Sequence, residues 1–144
     1  MLDESAVGTT AVFIKTVSEA DVVLFAGISG DFSENHTNEE FMAGTRYGTR
    51  IAHGALVIAF MSTASAKLIE RLGVAAVSLG YDGIRFLEPV FFGDTLRTHF
   101  ELVQVTRGGI RGTSKITVTN QNEDVVAVGT HLLHVLDETK GVEK

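Results

Sequence analysis

ALVIAFMSTASAKLIER (Ala55–Arg71) is apolar on nearly every helical face until its last turn, and Gly73 closes it. A glycine just past the last periodic residue is a helix stop signal. A helix apolar all round has to be enclosed on most of its sides. Beyond Gly73 the apolar period changes from about four to two. Val74–Gly80 and Ile84–Phe86 read as strand with an interruption at Gly80 and Gly83, followed by Pro89, the chain's only proline. Thr95–Thr106 alternates Leu96, Phe100 and Leu102 with Arg97, His99 and Glu101. Gly108-Gly109 marks a hairpin. Ser114, Ile116 and Val118 then alternate with Lys115, Thr117 and Thr119, and Val125–Leu136 makes the last strand. One enclosed helix followed by an antiparallel meander predicts an α+β fold in which the sheet wraps the helix.

Upstream, Thr9–Val17 reads as a first strand. Ser18 has the chemistry of an N-cap, with Glu19 and Asp21 in the first turn of a short helix running to about Ala26. Gly27 and Gly30 would end that helix and put Asp31 on a loop. Thr37-Asn38-Glu39-Glu40 fits a capping box for a brief helix over about Asn38–Ala43. The polar tail, residues 137–144, is expected to fray.

The chain has 144 residues, a single-domain length, with 44% hydrophobic and 21% charged residues. A net charge of −6 with no Lys/Arg run argues against a nucleic-acid footprint, though not against a local basic patch for an anionic cofactor. The absence of cysteine removes disulfides, thiolate catalysis and Cys-based zinc sites. Ala55–Ala66 is about half a membrane span, and Met1-Leu2-Asp3-Glu4 is acidic where a signal peptide is basic. A soluble cytoplasmic protein without membrane attachment is therefore expected.

The chemistry concentrates in Gly30-Asp31-Phe32-Ser33-Glu34-Asn35-His36 and Ile51-Ala52-His53-Gly54. Five residues advance a helix by roughly 500°, so Asp31 and His36 meet only if the chain turns between them. Gly, Ser and Asn favour that turn. A carboxylate and an imidazole facing one pocket can hold and deprotonate a water. The following helix would aim free N–H groups at developing negative charge, and Gly54, lacking a Cβ, admits a carbonyl close to its own N–H. His53 reads either as a ligand to the site or, the favoured reading, as a histidine satisfied by local backbone. Phe41 and Tyr47 could line an acyl pocket, with core packing the favoured reading. His99 reads as solvated. His131 and His134, three apart on a strand, face opposite ways and cannot share a metal. A calcium loop from Asp31 fails at His36, where glycine is needed, and at Met42, where glutamate is needed. No phosphate loop or GxGxxG is present. No metal and no cofactor is expected.

Ser29-Gly30-Asp31-Phe32…His36, Phe41-Met42-Ala43-Gly44, Ile51-Ala52-His53-Gly54-Ala55-Leu56 and Arg85-Phe86-Leu87-Glu88-Pro89-Val90…Gly93-Asp94-Thr95 resemble the MaoC-like dehydratases, and above all the (R)-specific enoyl-CoA hydratases. The resemblance covers roughly Ser18–Leu136. It implies a hot-dog fold, an antiparallel sheet around a central helix, assembled as a dimer or larger. It also implies an acyl-CoA thioester as substrate and reversible water addition to a trans-2-enoyl-CoA. By the same resemblance Asp31 and His36 position the water, the Gly54 N–H polarises the thioester carbonyl, and Ser62 is a helix serine near them. Ser33-Glu34 departs from the Asn-Pro usual in that family. The rival expectations are a hot-dog thioesterase and a non-catalytic acyl-CoA-binding subunit.

Overall fold

The computed structural model describes residues 1–136; the expected frayed tail, 137–144, lies outside the described residues. The chain forms β1 (Thr10–Thr16), α1 (Glu19–Ser29), α2 (Glu34–Thr37), α3 (Glu39–Ala43), α4 (Gly54–Leu72), β2 (Ala76–Phe86), β3 (Thr95–Thr106), β4 (Arg111–Thr119) and β5 (Val125–Val135). The strands build one antiparallel five-stranded sheet in the order β1-β3-β4-β5-β2. This is the α+β hot-dog arrangement, with α4 lying against β1, β3 and β2. No described helix is long and apolar enough to cross a membrane.

Burial explains the pattern. On α4, Leu56, Val57, Phe60, Met61, Ala64, Ser65 and Leu68 point into the core. They meet Leu96, Phe100 and Leu102 of β3 and Ile116 and Val118 of β4, the inward set of each alternating strand. Enclosure is less complete than the composition suggests. Ala55, Ala59, Ser62 and Ala66 form a stripe on α4 that is not buried. Small side chains lose little by facing either way, so their polarity alone does not reveal that face.

The segment from Ala76 to Phe86 is one continuous strand rather than two. Gly80 and Gly83 do not break it. Their positive φ values, 155° and 60°, accompany register shifts against β5 between Ser78 and Gly80 and between Asp82 and Arg85. Glycine in a strand interior often marks such a bulge. The hairpin at Gly108-Gly109 is closed by a single 3-10 turn, Arg107–Gly109.

One buried polar group sets a measurable property. His131 on β5 is fully buried, its Nε2 2.8 Å from Ser78 Oγ and 3.2 Å from Ser65 Oγ. Burial disfavours the imidazolium and pushes the ring down to about 4. The unfolded chain protonates this histidine near its ordinary value of about 6.5, before the folded chain does. Stability therefore falls as pH drops from about 6.5 to about 4, by up to about 3 kcal/mol, and levels off below that for this residue. Urea unfolding across that window should show the slope, and His131→Asn should flatten it.

Candidate active site

Ser18 caps α1 through a reciprocal pair: Asp21 N–H donates to Ser18 Oγ (3.1 Å), and Ser18 N–H donates to the Asp21 carboxylate (2.9 Å). The helix runs past the expected end at Ala26 to Ser29, because Gly27 is tolerated within it. Gly30 closes it in the left-handed region (φ 80°), its N–H reaching Ala26 O at 2.8 Å. Asp31 is thus delivered directly from a helix end.

An Asx-turn then bends the chain. Asp31 Oδ1 accepts the Ser33 N–H at 3.1 Å and also the Ser33 hydroxyl, while the Asp31 N–H donates to Ser29 Oγ at 3.2 Å. Ser33 starts the single turn of α2, which carries His36 back towards Asp31. Thr37 is not the cap of the next helix. It is the last residue of α2, its hydroxyl donating to Phe32 O and Ser33 O, and Asn38 caps α3 by accepting the Phe41 N–H at 3.0 Å.

The two residues converge. His36 Nε2 lies 3.8 Å from Asp31 Oδ2, with His36 buried and the Asp31 carboxylate about half exposed. His36 Nδ1 is 2.8 Å from Ile51 O, and a carbonyl only accepts, so the ring donates there. In the neutral ring this places the lone pair on Nε2, the nitrogen nearest Asp31. The Ile51 N–H in turn donates to Asn35 O at 3.0 Å. Arg50 braces the same stretch, 2.9 Å from both Glu39 and Glu19 and stacked over Phe92. Hydrogen bonds from Ser33, then the nearby histidines, hold the Asp31 carboxyl below the usual carboxylate range.

A cavity of about 740 Å³ opens beside His36, with Asn35, Ala52 and Gly54 on one side and Phe86–Phe91 on the other. Gly54 is the first residue of α4, so no earlier turn supplies an acceptor for its N–H. The Phe86 ring stands against it: a Cβ on Gly54 would fall 2.6 Å from Phe86 Cε2. Tyr47 lines the cavity rather than packing in the core, its hydroxyl accepting from Arg46 at 2.7 Å. Phe41 is exposed, also against the core-packing expectation. Ser62 lies two turns along α4 from Gly54 and is exposed; neither it nor Asp31 is among the residues lining this cavity, which the pair meets through His36. His99 is half-buried rather than solvated, and His131 and His134 differ in burial as opposite strand faces require.

His53 is satisfied by backbone, but not locally. Its Nε2 donates to the carbonyl of Asp31, 22 residues earlier, at 2.9 Å. Its ring stacks on that of His36 with centroids 3.7 Å apart, and Phe25 meets it edge-on at 4.9 Å. Ligand atoms of Asp31, His36 and His53 lie within 4.8 Å of one another. Stacked imidazoles hold their in-plane lone pairs in near-parallel planes, however, so they do not converge on one ion. Sequence reading counts Ser33 among the residues that favour the turn but misses its bonds to Asp31, and it misses Phe86, the Ile51 carbonyl and the place of His53 in this cluster. Only Ser33 carries a signal, since Asp-x-Ser is an Asx-turn pattern.

A family model described as the MaoC-like domain matches residues 4–126.

The chain belongs to the MaoC-like domain family.

Among its relatives, the (R)-specific enoyl-CoA hydratase of Rhodospirillum rubrum is 38% identical over 89 residues, 62% of this chain and 60% of the relative. The 3-hydroxybutyryl-CoA dehydratase of Methylorubrum extorquens is 33% identical over 103 residues, 72% of this chain and 64% of that one. The chain thus spans somewhat under two thirds of these relatives. The solved R-hydratase PhaJ1 of Pseudomonas aeruginosa superposes with a TM-score of 0.80 at 31% identity, covering 92% of this chain and 83% of that one. The (R)-hydratase of A. caviae gives 0.82 at 25% identity, covering 90% and 96%. These MaoC-like neighbours share the hot-dog fold, and the relatives are named as hydratases and dehydratases.

Proposed function

We propose that this MaoC-like domain is a lyase acting on acyl-CoA thioesters, adding water reversibly to a trans-2-enoyl-CoA to give a 3-hydroxyacyl-CoA. The observation that carries the reading is the 3.8 Å gap between Asp31 Oδ2 and His36 Nε2, with His36 and Gly54 both lining the adjoining cavity. That gap is too long for a direct hydrogen bond and suits one water held about 2.8 Å from each. The ionised Asp31 accepts one hydrogen of the water and orients it. The His36 Nε2 lone pair takes the other proton as the hydroxyl adds at C3. The C2–C3 π electrons move to give an enolate, whose oxygen is stabilised by the Gly54 N–H and the α4 dipole. His36 then returns its proton to C2, so hydroxyl and hydrogen arrive on one face. Dehydration is the reverse.

A panel of enoyl-CoAs of increasing chain length, followed by loss of the thioester-conjugated double bond, tests this. Hydration of at least one member supports it. Release of free thiol instead would indicate a thioesterase, and binding without turnover a non-catalytic subunit.

The same reading includes at least a homodimer. β2 is an edge strand 11 residues long that exposes Val77, Leu79 and Phe86, and α4 leaves its small-residue stripe uncovered. A long apolar edge invites pairing with another strand. Size-exclusion chromatography with light scattering should give at least twice the 15.5 kDa chain mass, and Leu79→Lys should shift the protein towards monomer. A monomeric wild type would contradict this.

A further inference from the structure

We infer that His53 is a positioning residue that holds both acid–base groups in register, an inference that rests on the hydratase reading for its kinetic consequence but not for its structural one.

Two contacts of this ring and one property of its backbone bear on the site. Its Nε2–H ties down the Asp31 carbonyl at 2.9 Å, so it fixes the peptide from which the carboxylate projects. Its face covers the His36 ring at 3.7 Å between centroids and 26° between planes, which sets the plane of the His36 Nε2 lone pair. It is also the N-cap of α4, in extended geometry (φ −62°, ψ 134°), so it directs the N–H of the next residue, Gly54. Yet its side chain makes no capping hydrogen bond, which would be the ordinary reason for a polar residue there.

The ring is built in rather than merely placed. It is 2% exposed, wedged between His36 and Phe25. Its Nδ1 is buried with no hydrogen-bond partner among the described residues. With Nε2 donating to a carbonyl, the neutral ring carries its lone pair on Nδ1. A buried polar atom left unpaired is costly, so packing alone would favour phenylalanine at this position. What phenylalanine lacks is the donor to Asp31. A neutral ring face against His36 has a second use: when His36 Nε2 takes the proton, the imidazolium lies over a π surface.

A proton-transfer geometry is sensitive to small displacements, and a misplacement of about 1 Å can cost about 10²-fold. The test uses His53→Phe, which keeps the flat face and loses the donor, and His53→Gln, whose carboxamide N–H reaches about as far as Nε2. The expected result for His53→Phe is a kcat for crotonyl-CoA hydration lowered by about 10- to 10²-fold, with KM within about twofold. His53→Gln should recover most of the loss. Equal rates in the two variants, whether both high or both low, would overturn the proposal.

Should His53→Phe not fold, the wild-type protein decides the matter by itself. Long-range ¹H–¹⁵N correlation of the imidazoles should show His53 protonated on Nε2 and His36 on Nδ1. A His53 protonated on Nδ1 has no donor for Asp31, and the proposal fails. If the wild-type enzyme hydrates no enoyl-CoA, the hydratase reading falls while the tautomer measurement still rules on the positioning of Asp31 and His36.

Discussion

Asp31→Asn and His36→Ala are each expected to slow enoyl-CoA hydration by about 10²- to 10⁴-fold, the range for loss of a positioned proton-transfer group. The two substitutions act differently. In Asp31→Asn the side-chain carbonyl still accepts from Ser33, so the Asx-turn survives, but the neutral amide no longer attracts or orients a water that must lose a proton. His36→Ala removes the lone pair itself, along with the bond from Nδ1 to Ile51 O. Because the Asp31 carboxylate is half exposed and contacts mainly its own turn, Asp31→Asn should leave the melting temperature where it is. Crotonyl-CoA kinetics beside a thermal melt check both statements. Wild-type rates in either variant would remove that residue from the chemistry.

Gly54→Val should lower kcat by about 10²-fold, comparable to losing an oxyanion donor. Any Cβ at this position meets the Phe86 ring at 2.6–2.9 Å, closer than real contacts allow. Something must move, and the choices are Phe86, at the end of β2, or the first turn of α4. The first changes the wall of the cavity; the second swings the N–H away from the place where the proposed reading puts the substrate oxygen. The double variant Gly54→Ala/Phe86→Ala separates them. If Phe86 alone is the obstacle, the double variant runs at nearly the rate of Phe86→Ala by itself. If the N–H direction has changed, the double variant stays slow. Gly54→Val at wild-type rate would mean that this N–H plays no part.

The parts of the fold that can be read in advance are those with a sustained period. α4 and the three strands from Thr95 onward repeat their apolar positions often enough to fix type and face. The misread places are short or glycine-bearing. α2 is four residues long, too brief for any period, so nothing in the sequence separates Thr37 from the helix that follows it. Gly27 has the look of a stop and is an interior residue of α1, whereas Gly30, three residues on, supplies the left-handed cap. Gly80 and Gly83 have the look of a break between strands and are bulges within one.

The site is legible where its residues form a spacing, as Asp31 and His36 do, and illegible where they join through the backbone. The Ile51 carbonyl has no side-chain signature, and His53 differs from any other helix-start histidine only once the Asp31 peptide is folded over it. Ser33 stands out in the sequence as a departure from a family pattern; in the structure it is what holds the Asp31 carboxylate.

The most direct measurement is the double-variant cycle on the pair itself. If Asp31 and His36 grip a single water, either loss abolishes the same arrangement, and Asp31→Asn/His36→Ala is then hardly slower than the worse single variant. Hydration rates for the wild type, both single variants and the double variant on one enoyl-CoA give that comparison. Losses that multiply in the double variant would show two groups working independently, and the shared water would have to be abandoned.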